Sequence, residues 1–278
     1  MDARKTTLQA RILQLAARLC IGLLLAFLAL PLVSLVVRVP PGALLARMRE
    51  PVVLDALGLS LITSACSTLV VVVFGLPVAY LLATRDFRGR RLLETLIDLP
   101  MVLPPTVAGV GLLLAFGRTG LTGGVFQAFG VTVPFTTLAV VFAQVFVAAP
   151  FFIATTAAGL AEVERRYLDA AATLRASPAH TFFRVLLPLS LPSLVAGAAM
   201  SWARALGEFG ATITFAGNLP GVTQTMPLAV YMALQTDLEA AVALSVLLLV
   251  VSFVLLLGFR ALPLGPGARR KRAPRIRR

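Results

Sequence analysis

Six stretches of the chain are apolar over lengths that no ordinary soluble core element reaches: residues 19–37, 57–83, 96–116, 136–160, 189–215 and 238–259. Each exceeds the ~17 residues a helix needs to cross the hydrocarbon layer. The ten-residue alternation of a membrane barrel is absent, so each stretch predicts a helix. The first follows Arg4, Lys5, Arg11 and Arg18 as a signal peptide would. It is long for a cleaved one, and no small-residue site closes it, so a retained helix is expected. Pro100, Pro104 and Pro105 stand near the start of the third stretch, where missing amide donors favour a wide turn leading into the helix over a hinge. Residues 226–235 are apolar but too short to span, which predicts a packed or partly re-entrant segment.

Composition agrees with the pattern. Of 278 residues 59% are hydrophobic and 13% charged, and the mean hydropathy is +0.93. Those values exclude a water-soluble domain and a disordered chain. The net charge of +13 raises nucleic acid as a partner, but its distribution points to the membrane. Seven Lys and Arg crowd the last ten residues, a basic tail of the kind that orients a membrane chain or contacts anionic lipid. Twenty Lys and Arg fall on one side of the spans: the N-terminus, 85–94, the segment after the fourth span, and the C-terminus. The other side holds four: Arg38, Arg47, Arg49 and Arg118. This bias places both termini in the cytoplasm. A basic segment at 1–18, a membrane domain at 19–260 and a basic tail at 261–278 follow. Cys20 and Cys66 lie inside apolar runs and read as small core hydrophobes.

Catalytic patterns are missing. There is no GxxxxGK[ST] loop, no GxSxG elbow, and one histidine, His180, with no Cys/His cluster. Ionisable groups in the spans are too few for a proton relay. Work for uphill movement must then come from another subunit.

Two constellations remain. The cytoplasmic loop 161–188 is polar yet patterned. Its run 168–174 predicts a short helix on which Leu168, Ala171, Ala172 and Leu174 form one apolar face. Ser177-Pro178 reads as an N-cap with proline at the first position of a second helix. Membrane subunits of bacterial and archaeal ABC importers carry here a loop of the form acidic-Ala-Ala-x3-Gly-x9-Ile-x-Leu-Pro. This chain resembles it through Asp169, Ala170, Ala171, Val185, Leu187 and Pro188 at that spacing, with Arg175 in place of the glycine. Glycine would accommodate a left-handed residue at the helix end; arginine makes that turn costlier or differently shaped.

The second constellation holds Arg204 and Glu208, four apart and able to pair on one face of the fifth helix. Such a pair either fixes helix packing or lies near a pathway, where Arg204 offers positive potential to an anion. Gly207 and Gly210 permit close helix approach. Thr212, Asn218, Thr223, Gln224 and Thr225 follow around a Gly-Asn-Leu-Pro-Gly turn. Together with the 98–109 segment, this block is similar to the permeases of molybdate/tungstate ABC importers, and sulfate permeases share parts of it.

The resemblance implies an all-α integral membrane protein with the six-helix, type I importer (MetI-like) permease core, multi-pass in the cell inner membrane. It implies a homodimer whose path runs along the twofold interface, among membrane lipid. Two cytoplasmic ABC ATPases would bind the ATP, leaving no cofactor, metal or catalytic residue in this chain. An extracytoplasmic oxyanion-binding protein would deliver the cargo. The residues implied for ATPase coupling are Leu168, Asp169, Ala170, Ala171, Leu174, Arg175, Ala176, Ser177, Val185, Leu187 and Pro188. Those implied for the path are Arg204, Glu208, Thr212, Asn218, Thr223, Gln224 and Thr225. The rival readings are a sulfate or thiosulfate importer permease, and more distantly a stand-alone channel or secondary transporter.

Overall fold

The first apolar stretch folds as part of one long helix, α1 (Asp2–Arg38), whose side chains from Leu13 onward are exposed almost throughout. The computed structural model describes residues 2–261, so the basic tail expected over 261–278 lies outside the described residues apart from Ala261. A short helix, α2 (Pro41–Arg47), leads into α3 (Pro51–Thr84), which begins ahead of the expected 57.

The third expected span is not one helix. It divides into α4 (Arg90–Val102) and α5 (Pro105–Phe116), whose axes turn by 116°. Pro100 is tolerated inside α4, whereas Leu103 and Pro104 each precede a proline and take extended backbone. The prolines therefore make a break between two half-length helices. Only Pro105 opens a helix as expected, at the first turn of α5.

Beyond a short outer helix, α6 (Gly123–Ala128), the fourth span is α7 (Thr137–Ala161), with Thr136 Oγ1 accepting the Ala139 N–H at its start. The inner loop holds α8 (Arg165–Thr173). Helix then runs unbroken from α9 (Pro178–Thr181) through a π turn (Phe182–Leu186) into α10 (Leu187–Leu206). The fifth span thus lies earlier in the sequence than 189–215: it starts at Pro178 and stops at Leu206. Gly207 does not favour continuation. Residues 210–215 form a separate short helix, α11 (Gly210–Phe215). The segment 226–235 folds as α12 (Met226–Thr236), with Met226 and Leu228 fully buried, and α13 (Leu238–Ala261) closes the described chain. Among the described residues five helices are long and apolar enough to cross a membrane, or six if the bent α4–α5 pair is counted as one span.

α7 is the hub. Thr63 and Ser67 of α3 meet Gln144, and Gly75 meets Phe152, so α3 and α7 run parallel. Gly159 faces Ser193, while Gly197 faces Phe152 and Thr156, so α10 runs antiparallel to α7. A Cβ on Gly159 would overlap Ser193, and one on Gly197 would stand 3.0 Å from Thr156 Oγ1. In lipid, where apolar burial drives helix association little, such close approach supplies the dispersion contacts that hold helices together. Three apolar clusters result. One joins Val71, Phe152, Leu160 and Leu186; a second Ala108, Leu112, Val140 and Phe215; a third Val53, Met226 and Leu244.

A polar ladder crosses the α3–α7 seam: Gln144 accepts from Ser67 Oγ at 2.9 Å and donates to Thr63 Oγ1 at 3.2 Å. Ser60 Oγ accepts the Met226 N–H at 2.7 Å and ties α12 to α3. Cys20 and Cys66 are exposed free thiols rather than core residues, because the apolar faces carrying them look outward.

Candidate functional site

The inner face presents α8. The expected single apolar face is split. Leu168 is half-buried and Ala171 buried, whereas Ala172 is exposed and Leu174 is 82% exposed. Leu174 is the C-cap, beyond the last helical residue, and its side chain leaves the helix face. Asp169, Ala170 and Ser177 are exposed, Ala176 and Val185 half-buried, and Leu187 and Pro188 begin α10. Ser177 Oγ accepts the His180 N–H at 3.2 Å, the cap expected for α9. A hollow of about 580 Å³ opens beside α8 among Tyr167, Ala170, Ala171, Leu174, Arg175 and His180.

Arg175 adopts the left-handed conformation that glycine would take, at φ 56°. Its N–H bonds Ala172 O at 2.9 Å, and the Ala176 N–H bonds Ala171 O at 3.0 Å. This is the Schellman end of a helix, built on an L residue. The arginine therefore keeps the turn, at a conformational cost of ~1–2 kcal/mol. R175G is expected to raise the thermal midpoint of the purified permease in detergent, by an amount equivalent to about 1 kcal/mol, and R175V to lower it.

Midway through the membrane domain, Arg204 Nη2 stands 2.7 Å from Glu208 Oε2. Glu208 is not on the same helix as Arg204, as the i, i+4 spacing suggests, but in the break after α10. Its Oε1 accepts the Ala211 N–H at 2.8 Å. Glu208 is 1% exposed and the Arg204 side chain 28%. The contact at Oε2 is close but is not an aligned hydrogen bond, so that oxygen lacks a well-directed donor. Gly210 packs on Pro105, where an added Cβ would stand 2.6 Å from Pro105 Cβ. The break in the fifth span thus touches the break in the third. Gly207 meets only Ala203 O of its own helix.

Thr212, Thr223 and Thr225 are fully buried, Gln224 is nearly so, and Asn218 is half-buried. Thr223 Oγ1 accepts the Leu219 N–H at 2.9 Å, closing the turn between Gly217 and Gly221, both at φ 73°. Thr212 Oγ1, Asn218 Oδ1 and Thr225 Oγ1 have no hydrogen-bond partner among the described residues. Of the seven residues only Arg204 and Glu208 are joined by side chains among the described residues; Arg204 and Asn218 are partly exposed and the other five are buried.

Sequence reasoning missed an outer clasp. Arg47 Nη2 donates to Asp237 Oδ2 at 2.8 Å and Nη1 to Glu50 Oε1 at 3.0 Å. Asp237 Oδ1 accepts the Glu239 and Ala240 N–H groups and caps α13. The Ala240 N–H above all, with the Arg47 charge beside it, holds the Asp237 carboxyl below its ordinary range. A depressed carboxylate contributes stability above its unfolded pKa and loses it as pH falls through the folded one. Acid is thus expected to loosen the clasp below about pH 4. D237N, which can keep the cap, should flatten the acid limb of a melting-temperature profile measured against pH.

Five or six apolar passes packed around α7, with an exposed short helix between the fourth and fifth, define a polytopic membrane protein. The chain belongs to the family of binding-protein-dependent transport system inner membrane components, which matches residues 72–263. It is 46% identical to the molybdenum transport system permease protein ModB of Mycobacterium tuberculosis over 244 residues, 87% of this chain and 92% of that one. It is 35% identical to a probable sulfate transport system permease protein cysT of Nephroselmis olivacea, over 81% and 84% of the two chains. Its fold matches a chain of the bacterial alginate ABC transporter in complex with its pentasaccharide-bound periplasmic protein. The TM-score there is 0.71 at 16% identity, covering 91% of this chain and 94% of the other.

Proposed function

We propose that this chain is the membrane-spanning permease of an ATP-driven importer that carries molybdate, tungstate or both into the cytoplasm. The likeness to the mycobacterial molybdenum permease along nearly the whole of both chains carries this reading. The chain itself does no covalent chemistry. Two copies form a homodimer around the path, with residues 19–260 as the membrane domain and basic segments at 1–18 and 261–278 on the cytoplasmic side.

Two ATPase subunits, which bind the ATP, dock on the α8 surface from Leu168 to Ser177. Val185, Leu187 and Pro188 carry their motion into α10, because helix is continuous from Pro178 to Leu206. An oxyanion-binding protein docks outside and releases its anion toward Arg204, past the polar residues Thr212, Asn218, Thr223, Gln224 and Thr225. Rigid-body rocking of the two copies then alternates access.

Reconstitution with the partner ATPase and binding protein, followed by uptake of molybdate, tungstate and sulfate, tests this. Stimulation by the first two supports it. The sulfate or thiosulfate reading, favoured by the cysT relative, expects stimulation by sulfate alone. Flux without the ATPase overturns both.

A further inference from the structure

A charge buried in a membrane domain is costly, and an ion pair there is often replaceable by apolar residues without loss of stability. Ser193 lies at Gly159 and Gly197 at Phe152 and Thr156, and this antiparallel register carries Arg204, further along α10, toward the middle of α7. At that depth a carboxylate holds both the guanidinium of Arg204 and the Ala211 N–H. These are the two kinds of donor that an oxyanion requires: a cation and an oriented amide. One carboxylate oxygen is imperfectly satisfied despite complete burial, and the neighbouring Gly207 is exposed, so the pair lies just beneath an accessible surface.

We propose that Glu208 masks an oxyanion site. In this conformation its carboxylate occupies the donors that a passing tetrahedral dianion or monoanion would use, and so denies free anions a resting place halfway across the membrane. The cargo gains Arg204 only when rocking draws Glu208 aside. This rests on the reading that Arg204 lines the path. The local charge states the consequence: Arg204 with Glu208 is neutral, Arg204 with glutamine carries one positive charge, and glutamine at both positions is neutral again.

The experiment is anion leak from proteoliposomes holding the permease and its ATPase, with no ATP and no binding protein, using molybdate and sulfate as probes. E208Q is expected to leak both anions at least about tenfold faster than wild type, and R204Q/E208Q to return to the wild-type rate. E208Q as tight as wild type, or single and double variants equally leaky, would overturn the proposal, the second outcome showing damaged packing. If E208Q is not recovered from membranes, E208S, which keeps an acceptor near the Ala211 amide, is measured in its place. Recovery of neither assigns Glu208 to folding and overturns the masking role. Complete wild-type vesicles supplied with ATP are run in parallel. Their failure to import any anion would overturn the permease reading, whereas import with a tight E208Q would sink the masking proposal alone.

Discussion

In the reconstituted complex, D169W/A170W is expected to lower ATP-driven uptake by at least about tenfold, the loss that ~1.4 kcal/mol of docking energy produces. Both side chains are exposed on α8, and neither takes part in a side-chain hydrogen bond or ion pair among the described residues. Exposed substitutions of this kind usually change stability by less than ~0.5 kcal/mol, so the permease should reach the membrane in normal amount. What changes is the outer contour of a nine-residue helix whose small side chains allow a partner to approach its backbone. Two indole rings there hold a docked subunit off by several ångströms. Hydrolysis by the ATPase should continue while transport stops. Undiminished uptake in this variant would move the docking site off α8.

The spans were legible because length and hydropathy are enough to find a membrane helix, and four of the six emerged as unbroken helices. The breaks were not. Pro104 and Pro105 were visible, but a proline pair opens a helix or divides a span depending on what packs against it. Here Gly210 packs against Pro105, more than 100 positions away. The end of α10 had little more signal: Leu206 and Gly207 lie between Arg204 and Glu208 in a stretch still apolar enough to be taken as one span, and the helix stops where Glu208 finds the Ala211 amide. The Arg204–Glu208 pair could be read from its spacing, while the second partner of Glu208 could not, since it exists only because the helix breaks.

The same division holds at the other sites. Ser60, Thr63 and Ser67 recur at helical spacing and could have marked a polar stripe on α3, but nothing local points to Gln144 across the seam. Arg47 and Asp237 are 190 positions apart, and no periodicity brings them together. Arginine at 175 in place of glycine predicts a costlier or reshaped turn. The Schellman bonds from its N–H and that of Ala176 outweigh the strain of the left-handed backbone, so the turn survives the substitution.

G159A should be among the most damaging single-methyl changes in the chain, and S193G should repair it. Gly159 is buried in α7, and the Cβ of an alanine there would occupy the same space as the Ser193 side chain on α10. The helix backbones must separate to admit it, and overpacking of this kind costs ~1–3 kcal/mol, occasionally more. The cost spreads along the seam. Gly197 lies one helical turn from Ser193 and already holds Thr156 and Phe152 at contact distance, so separation at Gly159 loosens those contacts too. In lipid no gain in apolar burial compensates, because a separated helix face is solvated by acyl chains as well as by protein. Removing the Ser193 side chain in G159A/S193G clears the space for the new methyl group. Melting temperature in detergent should fall in G159A, recover most of the way in the double variant, and change little in S193G alone. A double variant no better than G159A would show that the seam is held by something other than the Gly159–Ser193 approach.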